Sequence, residues 1–193
     1  MNSILQCFSN LERLRIFLLE KDRYKDWEAD KQNKKLSFAL AEIIKKFWKI
    51  LNHRFYAPNI FKDIISENNY LFKGISNDVP KELILFILEN LHKELNNANN
   101  QIINNNQWIN NRNFLDVYNN FINHFKNRNN SIISDEFYEA NYTETFCGKC
   151  NTVIYYVQSY NILFFPLDEV RKFMNYYNHI FVRINDCFEF YQK

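Results

Sequence analysis

Apolar residues in the first two-thirds of the chain recur at three- and four-residue steps, the spacing that lines them up on one face of an α-helix. In residues 1–20 (MNSILQCFSNLERLRIFLLE) Ile4, Leu5, Phe8, Leu11, Leu14 and Leu18 carry this stripe, while Cys7, Ile16, Phe17 and Leu19 put apolar groups on other faces. A helix that is apolar on most sides belongs deep in a domain. Asn2 and Ser3 are good N-cap types at its start. Residues 21–35 (KDRYKDWEADKQNKK) are polar and charged and read as a surface connection. From Leu36 the series Leu36, Leu40, Ile43, Ile44, Phe47, Trp48 and Leu51 predicts a strongly amphipathic helix.

Pro58 opens a third predicted helix with Phe61, Ile64 and Ile65 on one side, and Asn68 and Asn69 close it. Gly74 marks a turn. Asn77 and Asp78 can cap a fourth helix, which tolerates Pro80 in its first turn and carries Ile84, Leu88, Leu91 and Leu95 as its core stripe. Residues 96–113 are rich in Asn and read as a long flexible loop. A fifth helix follows, with Phe114, Tyr118, Phe121, Ile122 and Phe125 on one face.

After Ser131 the pattern changes. Residues 141–146 and 151–157 are rich in Thr, Tyr, Val and Ile and flank Cys147-Gly148-Lys149-Cys150, which predicts a hairpin with a CGKC turn. Residues 160–165 (YNILFF), bounded by Pro166, read as a third strand, and the aromatic stretch 180–191 as a strand or short element. The fold class expected is α+β, with helices over 1–130 and a β-rich piece over 131–193.

Composition narrows the chemistry. Aromatics make up 18% of the 193 residues, ample for a core. Gly occurs twice, and neither GxGxxG nor GxxxxGK[ST] is present, so a glycine-rich phosphate loop is not expected. The net charge of +2 is too small to point to nucleic acid, and Lys and Arg do not cluster in the Asn-rich stretch. No run reaches the roughly 18–20 apolar residues of a membrane span. Glu12, Arg13 and Arg15 interrupt the first apolar pattern in a way that does not suit a signal peptide. Four cysteines do not make a disulfide framework, so a reducing cytoplasmic or nuclear setting is expected, with no membrane or nucleic-acid partner.

Cys147 and Cys150 have the spacing of one zinc knuckle, which supplies two of the four ligands a tetrahedral site needs. A redox pair is the other reading of CxxC, and no thioredoxin-like βαβ pattern surrounds it. Cys7 and Cys187 are single, stand among apolar residues and read as small buried hydrophobes. His53, His92, His124 and His179 read as core or surface histidines with no catalytic claim.

Several blocks, in order, resemble the ubiquitin-specific proteases. Met1-Asn2-Ser3-Ile4-Leu5-Gln6 is similar to the tail of that family's cysteine box, Asn-Thr-Cys-Tyr-Met-Asn-Ser. Residues 36–74 resemble the thumb helices. Residues 72–96 align without a gap on the pattern Gln-Gln-Asp-x-x-Glu-Phe-Leu and its continuation: Glu82 falls on the Glu, and residues 91–96 (LHKELN) fall on Leu-His-x-x-Leu-Asn. Val79 stands where the family has Asp, with Asp78 beside it. Residues 131–135, Cys147, Cys150 and residues 163–167 resemble the entry to the β-fingers, and Asp186-Cys187 resembles the approach to a second zinc knuckle.

The resemblance implies part of a papain-like cysteine-peptidase fold: a helical thumb-like subdomain, then a fingers-like piece with one CxxC knuckle. It implies thiol hydrolysis of the isopeptide bond at ubiquitin's terminal Gly, with ubiquitin or a ubiquitinated protein as partner. Glu82 and Asp78 become candidate contacts for the ubiquitin tail, and Cys147 and Cys150 a zinc half-site. The family nucleophile falls two places ahead of Met1 and the general-base His beyond Lys193, so no catalytic residue is expected in this chain. Two other readings remain: a non-catalytic ubiquitin-binding or interaction module, and a zinc-ribbon adaptor with a helical bundle.

Cys7 is the rival nucleophile. It stands eight residues past the family position, about 12 Å along a helix. A thiol is activated in the first helical turn, and attack requires reacting atoms roughly 3–3.5 Å apart. The chain is therefore expected not to be labelled by a thiol-reactive ubiquitin probe. Labelling that disappears in Cys7→Ser would contradict this.

Overall fold

A computed structural model describes residues 2–29, 35–48, 57–73, 80–98, 113–174 and 181–191. The chain divides into two compact units, one up to Ser159 and one from Tyr160. The first unit begins with α1 (Asn2–Asn10) and α2 (Glu12–Leu18) rather than one continuous helix. Ser9 Oγ and Asn10 Nδ2 both donate to the Gln6 carbonyl, at 2.8 Å each. These bonds satisfy the end of α1 locally, and Leu11 turns extended. Leu5, Phe8, Leu14 and Leu18 are buried as the pattern predicts, whereas Leu11, Ile16 and Cys7 are exposed. The segment therefore lies across the core with one face inward and is not enclosed by it.

The enclosed helix is α4 (Leu36–Trp48), which packs against α1, α2, α5 (Asn59–Asn68), α6 (Pro80–Leu95) and α3 (Lys21–Ala29). Leu36, Ala39, Leu40, Ala41, Ile43 and Ile44 are all buried. Helix α3 falls where a surface connection was expected. Its apolar residues Tyr24 and Trp27 stand three apart, on one helical face. Tyr24 is buried beside the Phe38 ring at 5.8 Å, with the Lys45 ammonium 3.6 Å from its ring centre. Two apolar residues in a charged run left too weak a periodic signal to read. Gly74, Asn77 and Asp78 lie outside the described residues, as does the Asn-rich stretch from 99 to 112.

A helix whose first turn is buried, as at Leu36 and Ser37, must satisfy its first N–H groups without water. Glu94 does this for α4: its two carboxylate oxygens accept from the Leu36 and Ser37 N–H groups, each at 2.8 Å. The carboxylate also faces the positive end of the helix dipole. Trp48 ties the other end of α4 to α1, its indole N–H donating to the Ser9 carbonyl at 2.9 Å while Arg15 lies over the ring.

Helix α7 (Phe114–Arg128) falls where a fifth helix is predicted; Asn113, read as the end of the Asn-rich loop, caps it by accepting from the Leu115 N–H, and the helix ends at Asn129. The six-residue α8 (Ile132–Phe137) starts from a capping box between Ser131 and Ser134 and buries Ile133. Strands β1 (Glu139–Cys147) and β2 (Thr152–Tyr160) form a two-stranded sheet joined through the CGKC turn. The region after Ser131 is thus less β-rich than expected. Tyr160 closes β2, and residues 161–166 are irregular.

The second unit contains α9 (Leu167–Phe173) and α10 (Ile184–Tyr191), the latter where a strand or short element was expected. Helical spacing lets Phe188 and Tyr191, three residues apart, both meet the Phe165 ring edge-on. Asp186 accepts from the Arg183 N–H at 2.8 Å at the start of α10, and Cys187 is buried as expected. The aromatic run has high β-propensity, but no described strand pairs with it, and ring packing along a helix takes the place of a ladder.

The Glu94 cap gives a stability test. Glu94→Ala should destabilise the protein by about 1–2 kcal/mol in urea unfolding, as loss of a charged cap does. Ser37 Oγ is buried without a hydrogen-bond partner, so Ser37→Ala should leave stability unchanged or raise it by up to about 1 kcal/mol. Equal losses in both variants would contradict the assignment of the cap to the carboxylate.

Candidate functional site

Two places in the first unit hold the residues singled out in the sequence. The first is α6. Glu82 stands exposed in its first turn, where its charge also complements the helix dipole. Asp78, its companion candidate, and Val79 lie outside the described residues, as do His53 and His179.

At its other end α6 becomes a junction. Leu91 and Leu95 point into the core. Between them His92 spans two polar partners, Nδ1 lying 2.7 Å from Ser131 Oγ and Nε2 3.0 Å from Asn129 Oδ1. Asn96 Nδ2 donates to the Arg128 carbonyl, and its Oδ1 accepts from the Asn130 N–H, both at 2.8 Å. The Asn97 N–H adds a bond to the Asn130 carbonyl at 3.0 Å. Residues 91–96 therefore fasten the end of α7 and the start of α8, while Glu94 in the same run caps α4. Sequence reasoning placed His92 on a motif position but treated it as an ordinary core or surface histidine, and it missed Glu94. Their partners are 37 to 58 residues distant in sequence, beyond any local pattern.

The second place is the hairpin tip. The Asn151 N–H donates to the Cys147 carbonyl at 2.9 Å and closes the turn. The left-handed position is Asn151, with φ 52°, a conformation Asn tolerates. Gly148 has no positive φ, and a Cβ added there would meet open space. Cys147 is half-buried and Cys150 exposed, both as free thiols. The Thr152 hydroxyl, then the neighbouring Cys147 thiol and the Thr152 N–H, hold the Cys150 thiol below its ordinary value. That favours the thiolate, the form that binds metal.

Zinc at a knuckle of this kind takes four tetrahedral ligands. Among the described residues no group of three or more His, Cys, Asp or Glu stands close enough together to hold a metal. The two thiols fit half of such a site. Cys187 belongs to the second unit and is buried there.

Cys7 lies on the exposed side of α1, not buried as expected from its apolar neighbours. Leu5 and Phe8 turn inward, and the same helical period turns Cys7 out. Along the hairpin, Tyr142, Phe146, Ile154 and Tyr156 are 53 to 61% exposed. Near its base Phe114 of α7 packs against Tyr142 and Tyr155, at 4.7 and 5.4 Å. No described helix is long and apolar enough to cross a membrane.

The chain is 30% identical over 172 residues to mouse (Mus musculus) Ubiquitin carboxyl-terminal hydrolase 4, which covers 86% of this chain and 18% of that protein. It is 27% identical over 177 residues to human Ubiquitin carboxyl-terminal hydrolase 19, covering 89% of this chain and 13% of the relative. With Xenopus tropicalis Ubiquitin carboxyl-terminal hydrolase 15 it shares 28% identity over 173 residues, 86% of this chain and 17% of the relative. The chain thus spans less than a fifth of the length of each of these relatives. The family model for ubiquitin carboxyl-terminal hydrolase matches residues 1–188, nearly the whole chain. With that match, and with the Leu-His-x-x-Leu-Asn run folded as the junction between its helices, the chain belongs to the ubiquitin carboxyl-terminal hydrolase family.

Proposed function

We propose that this chain is the thumb and the first part of the fingers of a thiol-dependent deubiquitinase domain, and that it binds ubiquitin without hydrolysing its conjugates by itself. The observation that carries this reading is the family match over residues 1–188. Support comes from the exposed apolar side chains of the hairpin, which suit protein–protein contact. In a complete domain of the family, a thiolate attacks the carbonyl of ubiquitin's terminal Gly, and N–H donors stabilise the oxyanion. This chain's part is to hold ubiquitin. Its helices form one wall of the channel for the ubiquitin tail, and its hairpin lies along the globular part.

Glu82 is the proposed acceptor for N–H groups of the tail, with Asp78 as its neighbour in the same wall. Its exposure leaves the carboxylate accessible to a ligand. Cys147 and Cys150 are the proposed half-site for zinc, whose role there would be to stiffen the hairpin tip and not to take part in hydrolysis.

Calorimetry or NMR titration with ubiquitin tests the first assignment. Glu82→Gln should weaken binding by about tenfold, the loss of charge-assisted hydrogen bonds, while leaving urea stability within about 0.5 kcal/mol. Unchanged affinity in a chain that otherwise binds would leave Glu82 with its dipole role alone. Metal analysis tests the second. Zinc should bind weakly, leave with a mild chelator, and bind less as pH falls and the thiols take up protons. Tight stoichiometric zinc would mean that a further ligand, such as Cys187 or His179, completes the site.

A further inference from the structure

Helix α8 is the base from which the hairpin leaves the helical core, since Tyr138 closes the helix and β1 starts at the next residue. Both ends of α8 meet one side chain. At the N-terminal end His92 Nδ1 lies 2.7 Å from the Oγ of Ser131, the N-cap. At the C-terminal end the His92 ring lies 5.7 Å from the ring of Tyr138. Phe125 of α7 meets Tyr138 at the same ring distance.

The hydrogen bonds around His92 assign its tautomer. Asn129 Nδ2 donates to the Phe125 carbonyl at 2.9 Å, which turns Oδ1 towards the imidazole. Oδ1 is an acceptor, so His92 Nε2 carries the proton. His92 Nδ1 is then the acceptor for the Ser131 hydroxyl proton. The Ser131 oxygen remains free to accept from the Ser134 N–H at 3.0 Å, while the Ser131 N–H donates to Ser134 Oγ at 2.9 Å. Every donor in this chain of bonds has an acceptor, and each bond supports the next. The capping box that starts α8 is thereby joined to α6 through one imidazole.

We propose that His92 is a positioning residue for the hairpin: by holding both ends of α8 to α6, it sets the direction in which β1 and β2 leave the helical core. The inference rests on the ubiquitin-binding reading only for its consequence, which is that the hairpin is pre-aimed at the ligand and binding has less ordering to pay for. The direction itself exists without ubiquitin and is measurable without it.

The experiment is a pulsed electron–electron distance measurement between spin labels at Lys46→Cys on α4 and Glu144→Cys on β1. Cys7, Cys147, Cys150 and Cys187 are changed to Ser in all samples. The parent should give one narrow distance distribution. His92→Phe, which keeps a ring against Tyr138 but removes both hydrogen bonds, should broaden or shift it. His92→Gln, whose amide both donates and accepts, should restore it. Asn129→Ala removes one arm of the bridge and should give an intermediate width, which keeps the test decisive should His92→Phe fail to fold. In ubiquitin titrations His92→Phe should bind several-fold more weakly and His92→Gln like the parent. A distribution unchanged in both His92→Phe and Asn129→Ala would overturn the proposal, whatever the ubiquitin result. A broadened distribution with no ubiquitin binding by the parent would uphold the positioning role and reject the ubiquitin reading.

Discussion

The structure depends on satisfying the N-terminus of a helix that has no access to bulk water on most of its sides. Helix α4 is in contact with five other helices, and its buried residues leave little room for water at its start. Unpaired N–H groups there would cost about 1–3 kcal/mol each. Ser37 is of a type that commonly caps helices, yet its hydroxyl has no partner. The cap comes instead from Glu94 on α6, whose carboxylate takes the first two N–H groups with one oxygen each. Because the acceptor comes from another helix, the cap also fixes the relation of α6 to α4.

The same segment of α6 fixes the rest of the first unit. Within residues 91–96, two leucines enter the core, His92 reaches Asn129 and Ser131, Glu94 reaches α4, and Asn96 reaches Arg128 and Asn130. Helical geometry makes this economical, since successive side chains leave the axis about 100° apart and address different neighbours. A short run can thus determine how three other segments meet. That gives a physical reason for the Leu-His-x-x-Leu-Asn spacing: apolar residues at both ends seat the helix, and the polar ones bind the chain where it returns from α7. The hairpin, with its exposed aromatics and thiol-bearing tip, is carried by that joint.

Much of this was legible in the sequence. The 3.6-residue pattern gave the helices α4, α5, α6 and α7, and the switch to Thr, Tyr, Val and Ile gave the hairpin with CGKC at its turn. The misreadings have physical causes. Ser9 and Asn10 bond back to Gln6 and split the first helix, a competition that an apolar stripe does not register. Helix α3 rests on Tyr24 and Trp27 in an otherwise charged run. Helix α10 carries aromatic residues of high β-propensity that pack on Phe165 instead of pairing in a sheet. The apolar neighbours of Cys7 suggest burial, but the helical period that turns Leu5 and Phe8 inward turns Cys7 outward. The parts that bear on a site were legible as motif positions only. Glu94 lies on a variable position of its pattern, and the hydrogen bonds of His92 and Asn96 join residues more than thirty apart.

On the proposed reading this chain, a member of the family over nearly its whole length, holds ubiquitin. The most direct measurement is a titration of isotope-labelled ubiquitin with the 193-residue chain, followed by NMR. Shifts are expected in ubiquitin's C-terminal tail, which the helical wall would contact, together with shifts on the face of its globular part that the hairpin would meet. A ubiquitin spectrum unchanged up to about 1 mM chain, corresponding to less than roughly 4 kcal/mol of binding, would contradict it.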